Sequence, residues 1–394
     1  MNILFVTGQF ANRNDNGFLG GMPKAVFKSA YGMQEKGHQV MILSVGNQNK
    51  TWVYKGISVV SVRATHGLEQ NNIVLMLSNI FYREWIIRKE IKRINKDWKI
   101  DIIQYAGWFG IGLLHNSKIP SIMRISSYTK VQLGDIYTEN KRKCLYIIER
   151  IAVKRMDAVF APSRVMAEGV SKDTGRKIGV METPYEEDKI KFDNSIYNKK
   201  MYDKKYILFF GRLSKDKGIY VIRDIIYQVL KNIPEIYFVF AGSVDPKDIV
   251  KELQREAREF KERVIFLGIL PPSKLYPIIS NSELVVMPSL MDNFPNSCAE
   301  AMALGKIVIG TDGSSLEQFI ENGYNGFLAK IGDSRSLLEQ IEKAINLDSK
   351  EKERLKDNAR IRITNLSPQI YFNKMEQIYT KVIKRRKYKI NNLK

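Results

Sequence analysis

Short continuous apolar runs alternate along this chain with longer segments in which apolar residues recur every three or four positions. Residues 3–7 (ILFVT) read as a buried strand. Gly20-Gly21 followed by Pro23 marks a turn and a helix start, and Ala25, Val26, Ala30 and Met33 then recur at helical spacing up to Gly37. Residues 40–45 form the next strand, so the chain opens on a strand–helix–strand unit. The pattern continues with a strand or hairpin over 53–62, a long helix over 73–98, strands at 101–105, 121–125 and 158–161, and helices at 146–155 and 165–171. Residues 182–204 carry charge without periodicity and read as a linker. A second series follows: strands at 206–210, 236–241, 264–267, 283–287 and 306–310, and helices at 220–230, 246–260, 273–279, 334–345 and 368–384. Alternation of this kind predicts two α/β domains with a cleft between them.

Composition agrees with that division. A chain of 394 residues exceeds one ordinary core, and 44% hydrophobic residues are enough to build two. No apolar run approaches membrane-spanning length, and the start, Met1-Asn2 leading straight into Ile3, lacks the basic opening of a signal peptide. Cys144 and Cys298 show no pairing pattern, and a reducing cytoplasm is the expected compartment. The net charge of +21 is spread, with +11 on residues 1–195 and +10 on 196–394. No zinc-finger spacing, RNA-binding signature or isolated basic domain accompanies it, so nucleic acid is not the expected partner. An anionic membrane surface, a phosphorylated substrate and a merely Lys-rich surface all remain open. The helix over 73–98 interleaves Arg83, Arg88, Lys89, Lys92, Arg93 and Lys96 with Phe81, Trp85, Ile86, Ile91 and Ile94. That composition suits either a membrane surface or packing on the sheet.

Two stretches carry candidate chemistry. In the first, Gly211-Arg212-Leu213-Ser214-Lys215-Asp216-Lys217-Gly218 follows the first strand of the second domain. It holds Arg212 and Lys217 at the carboxyl end of the sheet, where a guanidinium and an ammonium can grip a diphosphate. Lys215 and Asp216 are expected to face solvent. In the second, PSLMDNFPNSCAEAMALGK (288–306), Asp292 and Glu300 stand eight residues apart across a loop-to-helix junction. Asn296 and Ser297 lie where the backbone N–H groups of a helix start would meet an anion. Ser297 with Glu300 also fits a capping box, which would make both residues structural.

With these motifs in order, the chain resembles a retaining glycosyltransferase of family 4. The likeness rests on Gly20-Gly21-Met22-Pro23, Gly37-His38-Gln39-Val40, Gly211-Arg212-Leu213 with Lys217-Gly218, Phe266-Leu267-Gly268, Pro288-Ser289 and Glu300-Ala301-Met302. It is completed by Asp312-Gly313 to Glu317, and by Asn322-Gly323 with Asn325-Gly326-Phe327-Leu328. These span nearly the whole chain. The resemblance implies the GT-B fold: two facing Rossmann-like domains, an acceptor-binding one over 1–181 completed by a C-terminal crossover helix (368–386), and a nucleotide-sugar-binding one over 205–367.

The same resemblance implies roles. Arg212 and Lys217 would bind the diphosphate of a nucleotide-sugar, a UDP-hexose by the family's habit, and Glu300 the ribose hydroxyls. Asp292 would contact the donor sugar, with Gly20, Gly21, Gly211, Asn296 and Ser297 admitting or holding donor groups. The family commonly has Glu where Asp292 stands. Many members carry a His after the strand at 121–125, where this chain reads Arg124-Ile125-Ser126-Ser127. Arg124, Ser126 and Lys130 are therefore the acceptor-side candidates, while His38, His66 and His115 read as structural. No D-x-D motif occurs, and neither a metal nor another cofactor is expected. The expected partners are the nucleotide-sugar, a glycan or lipid-linked glycan acceptor and an anionic membrane face. A non-catalytic sugar-nucleotide- or glycan-binding subunit and a GT-B nucleotide-sugar epimerase are the alternatives.

Overall fold

A computed structural model describes residues 1–10, 21–64, 72–116, 118–125, 127–131, 139–186 and 190–391. The chain divides into two compact units, Met1–Thr183 with Pro368–Lys394, and Pro184–Ser367.

The first unit is built on a sheet of β1 (Asn2–Thr7), β2 (Gln39–Gly46), β3 (Lys50–Tyr54), β4 (Ile57–Arg63), β5 (Ile102–Gly107), β6 (Ser121–Ile125), β7 (Ala158–Ala161) and β8 (Gly179–Val180). Its order is β3-β4-β2-β1-β5-β6-β7-β8, parallel except for the β3–β4 hairpin, so the strand order reverses between β1 and β5. The continuous apolar runs are buried on both faces, as parallel strands covered by helices must be. One face is covered by helices Ile73–Trp98, Glu139–Arg155 and Arg164–Thr174, the other by helix Gly21–Glu35 and the terminal helix Pro368–Asn391. The terminal helix is integral to this unit. Met375 and Tyr379 are fully buried, and Tyr379 Oη donates to Gln104 Oε1 at 2.6 Å.

Residue Arg83 does not belong to the basic surface of helix Ile73–Trp98. It is buried beside Glu84, donates from a terminal nitrogen to the Phe109 carbonyl at 2.7 Å, and Glu84 Oε2 accepts from Gly112 N at 2.9 Å. Burial pushes the Glu84 carboxyl up and the Arg83 guanidinium down, each opposed by the other's charge. The pair holds the segment after β5, where Phe109 takes a left-handed φ of 44°. Glu149 reaches the same region from the neighbouring helix, accepting from Thr129 N at 2.8 Å, and burial raises its pKa to about 7. A carboxyl raised in this way stabilises the fold fully below pH about 4.5 and loses that contribution as pH rises through 7. Glu149→Gln is therefore expected to remove a fall in stability of up to about 3 kcal/mol across that window. Urea denaturation of both proteins at several pH values measures it, and parallel pH profiles would refute it.

The second unit contains β9 (Lys205–Phe210), β10 (Ile236–Ala241), β11 (Val264–Gly268), β12 (Leu284–Val286), β13 (Val308–Asp312) and β14 (Phe327–Lys330), ordered β11-β10-β9-β12-β13-β14. All the pairings are parallel, and the order reverses between β9 and β12. The helix expected over 246–260 is instead an α-helix, Ile249–Glu256, followed by a tighter turn at Arg258–Arg263. The stretch read as a linker includes helix Ser195–Lys200, with Ile196 and Tyr197 packed against this unit's core. Helix Ser349–Thr364, rich in charge, has no counterpart among the sequence expectations. It is held by Leu355, Ala359 and Ile363, buried at four-residue spacing.

Candidate functional site

The reversal between β9 and β12 is where an open parallel sheet leaves a crevice at its carboxyl edge. The two motif-bearing loops leave those strands. After β9 the chain makes a single turn, Lys215–Lys217, closed by Gly218 at φ 73°. A side chain at Gly218 is excluded twice, by that backbone and by the Pro288 carbonyl oxygen, which would lie 1.8 Å from its Cβ. The close approach lets backbone clip the two loops together. The Asp216 carbonyl accepts from Leu290 N at 2.9 Å and from Met291 N at 3.2 Å, and Thr311 Oγ1 donates to the Ser289 carbonyl at 2.7 Å.

That register brings Lys217 and Asp292, seventy-five positions apart, into a direct ion pair in which the ammonium donates to Asp292 Oδ2. Both are mostly shielded from water, so the pair is stronger than an ordinary surface bridge. Arg212 is half exposed and pairs with Asp216 at 3.0 Å. Asp216 thus partners the guanidinium instead of facing solvent unpaired, as the sequence suggested. Each cation of the site is held by a carboxylate that an incoming diphosphate would have to displace.

After Asp292 the chain passes through Pro295 into helix Asn296–Ala303. Cys298, Ala299, Ala301 and Met302 are buried under this short helix, where small side chains let it lie close on the sheet. The capping box does not form: Pro295 occupies the cap position, without a side-chain cap bond, and Ser297 lies inside the helix. Asn296 is exposed, Ser297 and Glu300 are half-buried, and Glu300 stands one turn into the helix. Gly211 also lies at this edge, and its carbonyl would be 1.7 Å from a Cβ at Gly242, so the ends of β9 and β10 crowd too closely for a side chain there. Arg212, Lys217, Asp292, Asn296, Ser297 and Glu300 thus come from two clipped loops and the helix that follows the second.

Likeness to known proteins falls on this unit and on the whole fold. Residues 190–362 match the family model described as glycosyl transferases group 1. The chain carries a glycosyl transferases group 1 domain. The chain is 26% identical over 343 residues to an uncharacterized glycosyltransferase of Methanocaldococcus jannaschii, covering 83% of this chain and 84% of that one. It is 25% identical over 334 residues to the N,N'-diacetylbacillosaminyl-diphospho-undecaprenol alpha-1,3-N-acetylgalactosaminyltransferase of Campylobacter jejuni, covering 79% and 83%. Its structure aligns with that of Anabaena HepE in complex with UDP at a TM-score of 0.72 and 18% identity, over 97% of this chain and all of that one. The fold is GT-B.

Outside the second unit the candidate residues are differently placed. Gly20, Ser126 and His66 lie outside the described residues. Gly21 opens helix Gly21–Glu35 beyond β1, with space around its Cα. Arg124 is buried, not displayed: a terminal nitrogen donates to Thr183 Oγ1 at 2.8 Å, and Tyr371 bonds it from the terminal helix. It joins the two places where the chain leaves and re-enters the first unit. Lys130 is paired with Asp173. His38 bonds Glu376 at 3.0 Å, and His115 lies between Tyr105 Oη and the Ile119 carbonyl, its pKa lowered to about 4 by burial. Two contributors escaped the sequence reading, Asp216 and Thr311. The signal for Asp216 was its four-residue spacing from Arg212.

Proposed function

We propose that this glycosyltransferase transfers a hexose-type sugar, with retention at the anomeric carbon, from a nucleoside-diphosphate sugar with UDP as the carrier. The acceptor is a glycan built on a lipid diphosphate, as in cell-surface polysaccharide assembly. The observation that carries the reading is the Lys217–Asp292 pair across the switch between β9 and β12, close in sequence to the start of helix Asn296–Ala303. The names borne by the Campylobacter relative and the HepE complex favour the lipid-linked acceptor and UDP respectively.

In this reading Arg212 and Lys217 exchange their carboxylates for the donor diphosphate and hold the charge that grows as it leaves. No metal ion is assigned to that task. The acceptor hydroxyl oxygen bonds to the anomeric carbon on the face from which the phosphate oxygen departs, and its proton passes to that oxygen. Asp292, released from Lys217, orients the sugar; Glu300 accepts from the ribose hydroxyls; the N–H groups at Asn296 and Ser297 receive donor oxygens.

Incubation of the purified protein with UDP-hexoses and a lipid-diphosphate glycan is expected to yield extended product, and Glu300→Ala to abolish it with the fold intact. Full transfer by Glu300→Ala would remove Glu300 from the donor site. Product formed without acceptor would indicate an epimerase.

A further inference from the structure

Helix Ile73–Trp98 buries one side and leaves the other uncovered. Met76, Ile80, Arg83, Glu84, Ile87, Ile91 and Ile94 point inward. At 3.6 residues per turn the opposite arc carries Val74, Leu75, Phe81, Tyr82 and Trp85 in its first half and Arg88, Lys89, Lys92 and Lys96 in its second. The apolar members are truly exposed: Val74 by 73%, Phe81 by 49%, Tyr82 by 54% and Trp85 by 51%. Helix Glu139–Arg155 packs into the same core and adds exposed Ile147 and Ile151 beside exposed Lys143 and Arg150.

We infer that the outer face of helix Ile73–Trp98 is a docking surface for an anionic lipid bilayer. A protein partner of matching shape would need only the apolar half. The bilayer accounts for both halves, because acyl chains take the phenyl and indole rings while headgroup phosphates take the cations on the same arc. Tyr82 and Trp85, stacked with ring centroids 6.1 Å apart, are the residue types that settle at the headgroup level, and Lys89 lies 5.4 Å from the Trp85 ring centre. No helix among the described residues is long and apolar enough to cross a membrane, so attachment here is to the surface. The inference goes beyond the proposed reaction and does not depend on it, since no donor or acceptor enters the argument.

The test uses the full chain and sedimentation with vesicles of phosphatidylcholine alone or mixed with phosphatidylglycerol. Binding is expected to the mixed vesicles and to weaken as salt rises. Brominated acyl chains are expected to quench a fluorescence component that disappears in Trp85→Phe. Phe81→Ser combined with Trp85→Ser, and separately Lys89→Glu combined with Lys92→Glu, should each weaken binding about tenfold or more, with unchanged melting temperature. Transfer to a water-soluble acceptor should be unaffected in both. The inference is overturned by absence of binding to anionic vesicles, or by equal binding of the variants. It is equally overturned by a self-associated chain that the serine variant returns to monomer, which would make the face a contact between copies. Failure of transfer with binding intact would bear on the proposed reaction alone.

Discussion

Lys217→Ala is expected to lower transfer by about 10²- to 10³-fold, with most of the loss in kcat. The reason lies in what the ammonium does before and after the donor arrives. In the free protein it neutralises Asp292; in the proposed reaction it moves to the diphosphate, where negative charge increases as the sugar bond breaks. An interaction that strengthens only at that stage appears in kcat more than in KM. The substitution also leaves Asp292 without its counter-charge near the incoming diphosphate, which adds repulsion to the lost attraction. Lys217→Arg keeps the charge but replaces a compact point with a planar fork, and partial recovery is expected. Some loss of stability is also expected, because the mostly shielded Asp292 is left without its counter-charge, and urea unfolding separates that loss from the kinetic one. Steady-state kinetics of the three proteins over a range of donor concentrations decide the matter. A kcat for Lys217→Ala within a few-fold of the parent would end the leaving-group role.

The largest expected effect on stability lies in the other unit. Glu84→Ala leaves Arg83 fully buried without its counter-ion, and removal of one member of such a pair costs about 3–5 kcal/mol. It also frees Gly112 N, so the segment after β5 loses one of its anchors as well. Replacing both charges, as Arg83→Met with Glu84→Gln, is expected to recover much of the loss, since no lone charge is then buried. Urea unfolding of the single and double variants provides the comparison. A single variant that costs no more than the double would show that the isolated arginine is tolerated.

Where strands were buried on both faces the sequence was explicit, because a run such as YILFF (206–210) has no other stable place in a soluble fold. The donor-side loops were legible for a related reason. Gly211 takes a φ of 124°, and Gly218 adds to its φ of 73° a close approach of the Pro288 carbonyl, conditions that other residues do not meet, so their spacing shows where the chain turns. Side-chain partners were less visible. Arg83 and Arg88 look alike in sequence, and only their angular positions on one helix separate a buried anchor from a surface cation. Arg124 invited a ligand-binding reading, but it lies on a strand covered on both faces, and its partners, Thr183 and Tyr371, are 59 and 247 positions away. Helix Ser349–Thr364 escaped because three buried residues suffice to fix it while charges fill the rest. Asp216 was misread because the turn that aims it at Arg212 exists only once Gly218 has closed against Pro288.

The division of the chain has a consequence for biosynthesis. Residues 184–367 form one uninterrupted unit, which can close as soon as it has left the ribosome. The first unit cannot, although most of it is made earlier. Tyr371, Met375 and Tyr379, which seal one face of its sheet, belong to a segment synthesised after the second unit. Until that segment has been made, helix Gly21–Glu35 is the one helix among the described residues that covers Ile3, Phe5, Ile42, Ile102 and Ile122 on this face. The unit begun first is thus completed after the second, and a nascent chain carries an open apolar face throughout the synthesis of residues 184–367.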